Sequence, residues 1–276
     1  MKLKPLERIE KPSIEEFQHE IAMQDKPVII SGVANKWPAC SLWKPETFKD
    51  IFRNVLAPLR GSDNELDVFF GKYNQATVMS IADYIDLISS IPPNGKRPPY
   101  LGNVSFNEPQ AKPHLEQIRS HFNFPNYFPE NSGNEIRLWI GAAHQKSTIH
   151  NDNYHNFNAQ IFGKKAFLLF PPEQHERLYA VKIDDELWSS PVDPQQPDLE
   201  KFPLFSEASG LEAILNEGDI LFIPAFWWHQ ARAITTCINI NMWIFTHKVS
   251  ELWNEEHPAF CKNEISTHYQ YRSTQS

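Results

Sequence analysis

Apolar positions in the first third of the chain recur at helical intervals. Ile14, Phe17 and Ile21 fall on one helix face, and Ser13 with Glu16 supplies capping-box spacing at its start. The run Pro27 to Ile30 predicts a short strand ending at Gly32. Pro45 suits a first helical turn and opens a second helix through Phe48, Ile51 and Phe52. Val68 to Phe70 predicts a strand. Ser80 with Asp83 starts a third helix through Ile81, Tyr84, Ile85 and Ile88, and the Pro-rich stretch Ile91 to Pro99 predicts a loop.

From Glu135 the pattern changes to short apolar runs cut by Pro and Gly. Strands are predicted at Ile136 to Ile140, across Ser147 to Ile161 as one long strand or a pair, and at Ala166 to Phe170 after the turn Phe162-Gly163-Lys164. Pro171-Pro172 stops the last of these. Ser189 to Pro203 is polar and Pro-rich, hence a loop. Glu217-Gly218-Asp219 turns into a strand from Ile220 to Ile223, and Cys237 to Phe245 is a further strand. The tail from Lys248 begins as a helix, with Leu252 and Trp253, and becomes polar after Cys261. Many short strands with this punctuation indicate an all-β sandwich or barrel. We expect one domain over residues 1–276. Its β core would span about residues 130–247, with helical decoration over 1–129 and in the tail.

Composition narrows the function classes. Cys40, Cys237 and Cys261 form no Cys-x-x-Cys pair, which fits a reducing cytoplasm better than a disulfide scaffold. No apolar run is long enough to span a bilayer, and the first residues lack the apolar core of a secretory signal, so no membrane partner is expected. The net charge of −8 disfavours nucleic acid as a partner, because non-specific binding to it needs a basic surface.

Candidate chemistry lies in the second half. In His150-Asn151-Asp152, a strand would point the imidazole and the carboxylate to one face. His229, in IPAFWWHQ, could complete a set of two histidines and one carboxylate, which suits non-haem Fe(II) and leaves coordination positions open. Alone the tripeptide is weak, since such pairs arise by accident among 11 histidines and 34 acidic residues. His114-Leu115-Glu116 is one, but it sits in a helical pattern after Pro113, where i and i+2 do not share a face. A lone His229 past a turn at the rim of the core would be read as packing; with His150 and Asp152 it gains a chemical reason.

Lys164 and Lys165 point to opposite faces if the strand has begun by then. One would face inward, where an ammonium needs an anion such as a dicarboxylate; otherwise both are solvated at the turn. Asn156 and Asn158 continue the face of His150 and Asp152, and Asn239 and Asn241 alternate with Ile240 and Met242. Either these asparagines line a polar pocket inside the core, or they face solvent while Ile161 and Ile240 face the core. His155 would point away from the metal, on the surface or behind the ligands. His144 reads as a loop residue, and Trp227 and Trp228 as packing.

Three separated segments occur in order: STIHNDNYHNFNAQIFGKKAFLLFPP from Ser147, EGDILFIPAFWWHQ, and NINMW. PVIISGVANKWPA followed by Trp43 precedes them. Together they resemble the cupin-like JmjC-domain Fe(II)/2-oxoglutarate oxygenases, including factor-inhibiting-HIF-type asparaginyl hydroxylases and small JmjC-only protein hydroxylases. The resemblance covers roughly residues 10 to 250. It implies a double-stranded β-helix, or jelly roll, that binds Fe(II), 2-oxoglutarate and O2. His150, Asp152 and His229 match the iron ligands, and Lys165 matches the lysine that pairs with the distal carboxylate of 2-oxoglutarate. Tyr100 matches a tyrosine at the same end. Ser147 stands where the family often has a threonine, and keeps the hydroxyl. Asn156 and Asn241 match asparagines near the metal-bound end of the cosubstrate, and Trp243 an aromatic close to the site.

The expected activity is hydroxylation of a protein or peptide side chain with release of succinate and CO2. Lysine demethylation, hydroxylation of a small molecule or tRNA base, and a non-catalytic cupin-like binding module are the alternatives. Substrate choice is expected in the loops Ser105 to Asn134 and Ile183 to Ser206. A homodimer would have to use Val249 to Phe260, the only candidate C-terminal helix.

Overall fold

The computed structural model describes residues 1–60, 78–91, 100–107, 109, 111–128, 133–182 and 188–245. The strand predicted at Val68 to Phe70, most of the 91–99 loop and the helical tail lie outside these residues. Among the described residues the strands form two sheets. The seven-stranded sheet runs β1 (Lys2–Pro5), β13 (Ser209–Leu215), β10 (Lys165–Phe170), β15 (Trp228–Ala233), β8 (His150–Asn151), β12 (Trp188–Ser189), β11 (Val181–Lys182). The nine-stranded sheet runs β2 (Arg8–Glu10), β3 (Val28–Ser31), β14 (Ile220–Ile223), β9 (His155–Phe162), β16 (Cys237–Phe245), β7 (Gly133–Gly141), β6 (Tyr100–Ser105), β4 (Leu56–Arg60), β5 (Val78–Ser80). Pairing is antiparallel except for β1 with β13 and β2 with β3. The core is a jelly roll, as expected. No helix among the described residues is long and apolar enough to cross a membrane.

The helices cover one face of the nine-stranded sheet. In α1 (Ile14–Glu20) the predicted capping box forms, with Ser13 Oγ accepting from the Glu16 N–H at 3.1 Å and Glu16 Oε2 accepting from the Ser13 N–H at 3.3 Å. Phe17 is fully buried and stacks on Tyr127 at 4.2 Å. Ile14 departs from expectation: it is 53% exposed, because the helix is only seven residues long and its first turn overhangs the core. Beyond α2 (Pro38–Leu42), Pro45 opens α3 (Pro45–Ile51), and Phe48 and Phe52 are buried. Ser80 caps α4 (Ile81–Ser89) by accepting from the Asp83 N–H, and Ile81, Tyr84, Ile85 and Ile88 are buried there.

Strand alternation then settles the question left open for the asparagines. Phe157, Ala159 and Ile161 of β9 join Ile238, Ile240 and Met242 of β16 in the large core beneath the helices. Asn156, Asn158 and Gln160 point to the opposite face, toward the other sheet, and are also buried. Both faces of this sheet are therefore covered. Between the sheets the filling is uneven. Around β10, β13, β3 and β14 it is apolar, built from Ile29, Phe167, Leu169, Ala213, Leu215, Leu221 and Ile223. Around β9, β16, β7 and β6 it is polar.

The segment after β12 is a loop, as expected, and it packs on the sheet. Val192, Phe202 and Phe205 pack with Ile149, Leu168, Phe170 and Trp228 in a separate apolar cluster. Residues 188–206 thus also cover the seven-stranded sheet, through Val192, Phe202 and Phe205. Residues 183–187, the start of the expected loop Ile183 to Ser206, are outside the described set.

Candidate metal centre and cosubstrate pocket

Two short strands bring the histidines together. His150 of β8 pairs directly with His229 of β15, and their rings lie 4.3 Å apart between centroids. His229 lies just past the turn, as expected, but it is the second residue of β15 and only 5% exposed, buried in the sheet instead of at a rim. Asp152 lies just past the end of β8, and its carbonyl accepts from the Phe226 N–H at 2.7 Å, which ties it to the turn before His229. One ligand atom each from His150, Asp152 and His229 lie within 4.8 Å of one another, the one such group among the described residues. His229 Nε2 is 3.7 Å from Asp152 Oδ2.

Both histidines are oriented by backbone. His150 Nδ1 lies 3.0 Å from the Thr148 carbonyl, and His229 Nδ1 lies 3.1 Å from the Trp227 carbonyl. A carbonyl only accepts, so each Nδ1 carries the proton and each Nε2 presents a lone pair. Ligating histidines are commonly fixed in this way. The two nitrogens and one carboxylate oxygen fit a divalent first-row ion with open positions.

Lys165, the first residue of β10, is the inward member of the lysine pair and only 3% exposed. Its ammonium donates to Tyr100 Oη at 3.0 Å and to Asn239 Oδ1 at 2.5 Å. No carboxylate among the described residues accompanies it, and burial lowers its pKa from 10.5 to about 8. Tyr100 is held neutral, its pKa pushed far up by burial. The walls are close around this tyrosine. A Cβ on Gly141 would fall 2.3 Å from Tyr100 Cε2, and one on Gly102 would fall 2.3 Å from Trp139 Cε3, while the Tyr100 and Trp139 rings stack at 5.7 Å. Glycine at both positions is what lets the two rings lie flat on the sheet.

Cross-strand register extends this polar face. Asn239 lies opposite Trp139 and Gln160, Asn241 opposite Arg137 and Asn158, and Trp243 opposite Glu135 and Asn156. Asn239 Nδ2 donates to Asn158 Oδ1 and Asn241 Nδ2 to Asn156 Oδ1, each at 3.3 Å, and Trp139 Nε1 donates to Asn241 Oδ1 at 2.5 Å. Trp243 is half-buried, with the Arg137 guanidinium 4.4 Å above its ring and the Tyr154 ring 6.0 Å away. Arg137 donates to Glu135 at 2.8 Å. Ser147 is near in sequence, but its hydroxyl is engaged by backbone: it accepts from the Ala231 N–H at 3.0 Å and donates to the Thr148 carbonyl at 3.0 Å.

The remaining candidates separate cleanly. His114 is on α5 (Lys112–Gln117) beside Phe52, and Glu116 is exposed, so that pair makes no site. His155 points away from the metal ligands but is not at the surface. It is buried against Phe128 at 5.2 Å, accepts from the Ala225 N–H at Nδ1, and burial pushes its pKa down to about 4, because β9 is covered on both faces. Trp228 packs as expected in the cluster behind β8 and β15. Asn239 and Trp139 are site residues to which the sequence pattern assigns no role. The alternation around Ile240 flagged Asn239, but only strand pairing shows that Trp139 faces it.

Comparison with known proteins agrees with this architecture. A family model described as a cupin-like domain matches residues 14–250. The chain is 29% identical to lysine-specific demethylase 8 of Xenopus tropicalis over 84% of its length and 51% of the relative's. It is 29% identical to JmjC domain-containing protein D of Dictyostelium discoideum, over 87% of this chain and 56% of that one. It is 23% identical to the human bifunctional peptidase and (3S)-lysyl hydroxylase JMJD7, over 82% and 79%. The chain spans about half the length of the first two relatives. With the matched region running through both sheets, the chain belongs to the cupin-like domain family, among its JmjC-domain members.

Proposed function

We propose that this chain is an Fe(II)- and 2-oxoglutarate-dependent dioxygenase that hydroxylates a side chain of a protein or peptide. The observation that carries this reading is a pairing. A three-ligand N/N/O cluster shares the inter-sheet space with a buried ammonium that has no carboxylate partner among the described residues. A buried cation without an anion is costly, and a diacid that also reaches the metal would supply the anion.

His150, Asp152 and His229 would hold Fe(II) by two Nε2 atoms and a carboxylate oxygen. When bound, the metal supplies the oxygen chemistry that decarboxylates 2-oxoglutarate to succinate and CO2 and hydroxylates the substrate. The protein's task is placement. Lys165 and Tyr100 bind the distal carboxylate through a charge-assisted and a neutral hydrogen bond. Asn156 and Asn241 orient the metal-bound end, and Trp139 fixes the Asn241 carboxamide so that its N–H donors face a set direction. Ser147 secures the entry to β8 at Ala231, and Trp243 forms a wall beside the site. Buried aromatic and aliphatic walls exclude water from the reacting end.

The substrate class rests on the relatives. One is named a lysyl hydroxylase and others lysine-specific demethylases. Because the demethylases are among the relatives, a second reading is oxidation of an N-methyl group, which would release formaldehyde. The sequence's cysteine pattern supports a reducing cytoplasm. Anaerobic addition of Fe(II) and 2-oxoglutarate should give a weak metal-to-ligand charge-transfer band, and peptide pools should stimulate succinate release. Absence of the band and of succinate with peptide, tRNA and amino-acid pools would leave a non-catalytic cupin-like module. Formaldehyde assayed in the same reactions separates demethylation from stable hydroxylation.

A further inference from the structure

We infer that Ser189 is a positioning residue for His150; this rests on the reading of His150, Asp152 and His229 as a metal centre. β8 is two residues long, so its own ladder holds it weakly. β12 supplies the support. Ser189 is the direct cross-strand partner of His150 and is fully buried beside it. Its hydroxyl donates to the Ile149 carbonyl at 3.1 Å, which uses its single proton. The 3.2 Å contact with Thr148 Oγ1 must then run the other way, with the threonine hydroxyl donating to Ser189. The next residue adds a second grip: the Ser190 N–H donates to the same Ile149 carbonyl at 2.8 Å. Ser190 Oγ in turn donates to the Leu178 carbonyl at 2.5 Å and accepts from the Val192 N–H at 3.1 Å.

Two consecutive buried serines therefore pin the Ile149–His150 peptide, and Ser189 also holds the Thr148 side chain. The adjoining Thr148 carbonyl is the one that holds His150 Nδ1. A ligand's affinity for a metal depends on such outer contacts. A second device backs the same strands. Ile149 and Trp228, the residues immediately before the two histidines, both enter the apolar cluster with Val192, Phe202 and Phe205. The segment that starts at Ser189 thus fixes one histidine by hydrogen bonds and covers the strands of both. Nothing in the sequence marks this role, since Ser189 and Ser190 read there as the polar start of a loop.

The test uses Mn(II) and Co(II) with the full chain. Ser189→Ala alone strands the Thr148 hydroxyl without an acceptor, so the double variant Ser189→Ala/Thr148→Val is made as well; removing both partners is far gentler on folding. We expect the double variant to keep the metal-free melting temperature. We also expect it to bind Mn(II), followed by electron paramagnetic resonance, ~10-fold more weakly, and to shift the visible bands of bound Co(II). Unchanged affinity and unchanged Co(II) bands would overturn the inference. In the wild-type chain, Mn(II) should slow hydrogen exchange at the Ser190 amide; no slowing on clear Mn(II) binding would also overturn it. Failure of the wild-type chain to bind Mn(II) would instead remove the metal-centre reading, and this inference with it.

Discussion

Lys165 makes the proposed cosubstrate pocket pH-dependent in a defined direction. Burial lowers the lysine from 10.5 to about 8, so the ligand-free pocket holds an ammonium below pH 8 and a neutral amine above it. A carboxylate beside the ammonium favours the charged form and raises that value again on binding. Affinity for 2-oxoglutarate should therefore be flat below pH 8. Above it, affinity should fall about tenfold per pH unit, because each binding event must then take up a proton. Tyr100 and Cys237, the neighbouring titratable groups, are both pushed upward by burial, so Lys165 alone changes charge as the pH passes 8. Lys165→Met should remove the pH dependence and weaken binding. Truncating one partner of a buried, hydrogen-bonded charge pair costs about 2–5 kcal/mol, or ~30-fold and more in affinity. Calorimetric titration of the Mn(II)-loaded chain from pH 7 to 9.5 measures the profile. Pyruvate, which chelates but lacks the distal carboxylate, is the control for metal hydrolysis. A flat 2-oxoglutarate profile, or an equal loss for pyruvate, would refute the assignment of Lys165.

Three further outcomes follow from the geometry. His150→Ala should abolish 2-oxoglutarate consumption while leaving the circular-dichroism spectrum intact; a variant that consumed it as before would remove the cluster from the mechanism. Gly141→Ala would drive a methyl into the Tyr100 ring, since a Cβ there lies 2.3 Å from Cε2. Overpacking of this kind costs about 1–3 kcal/mol, so denaturant titration should show lower stability and calorimetry weaker 2-oxoglutarate binding. Phe17→Ala, at a fully buried ring stacked on Tyr127, should cost about 3–5 kcal/mol by the same titration. Because Phe17 lies in the helical layer, turnover per folded molecule should not change.

Much of the helical layer was legible because its signals are local. Capping residues and the spacing of apolar side chains act within one or two turns, and Ser13, Pro45 and Ser80 each start a helix where their chemistry predicts. The exception, Ile14, shows the limit: periodicity marks a face but not where the core ends. His155 shows a related limit. Alternation gave its direction away from the metal, but whether that direction meets solvent depends on Phe128 and the turn at Ala225, neither close in sequence. The loop after Ser189 was legible, but Pro-rich polarity says nothing about which side of a sheet the loop will cover.

By itself the sequence determined the class of fold and the identity of the chemical groups: short punctuated strands, the order of His150, Asp152, Lys165 and His229, and asparagines alternating with isoleucines. Those follow from covalent spacing and from the period of two along a strand. Only the tertiary structure decided that β8 and β15 are neighbours, so that two histidines 79 positions apart share one point. It alone decided that Trp139 pins Asn241, and that Lys165 is buried without a carboxylate partner among the described residues. The reason is that pairing register and burial are set by contacts between distant segments, and those contacts have no local signature.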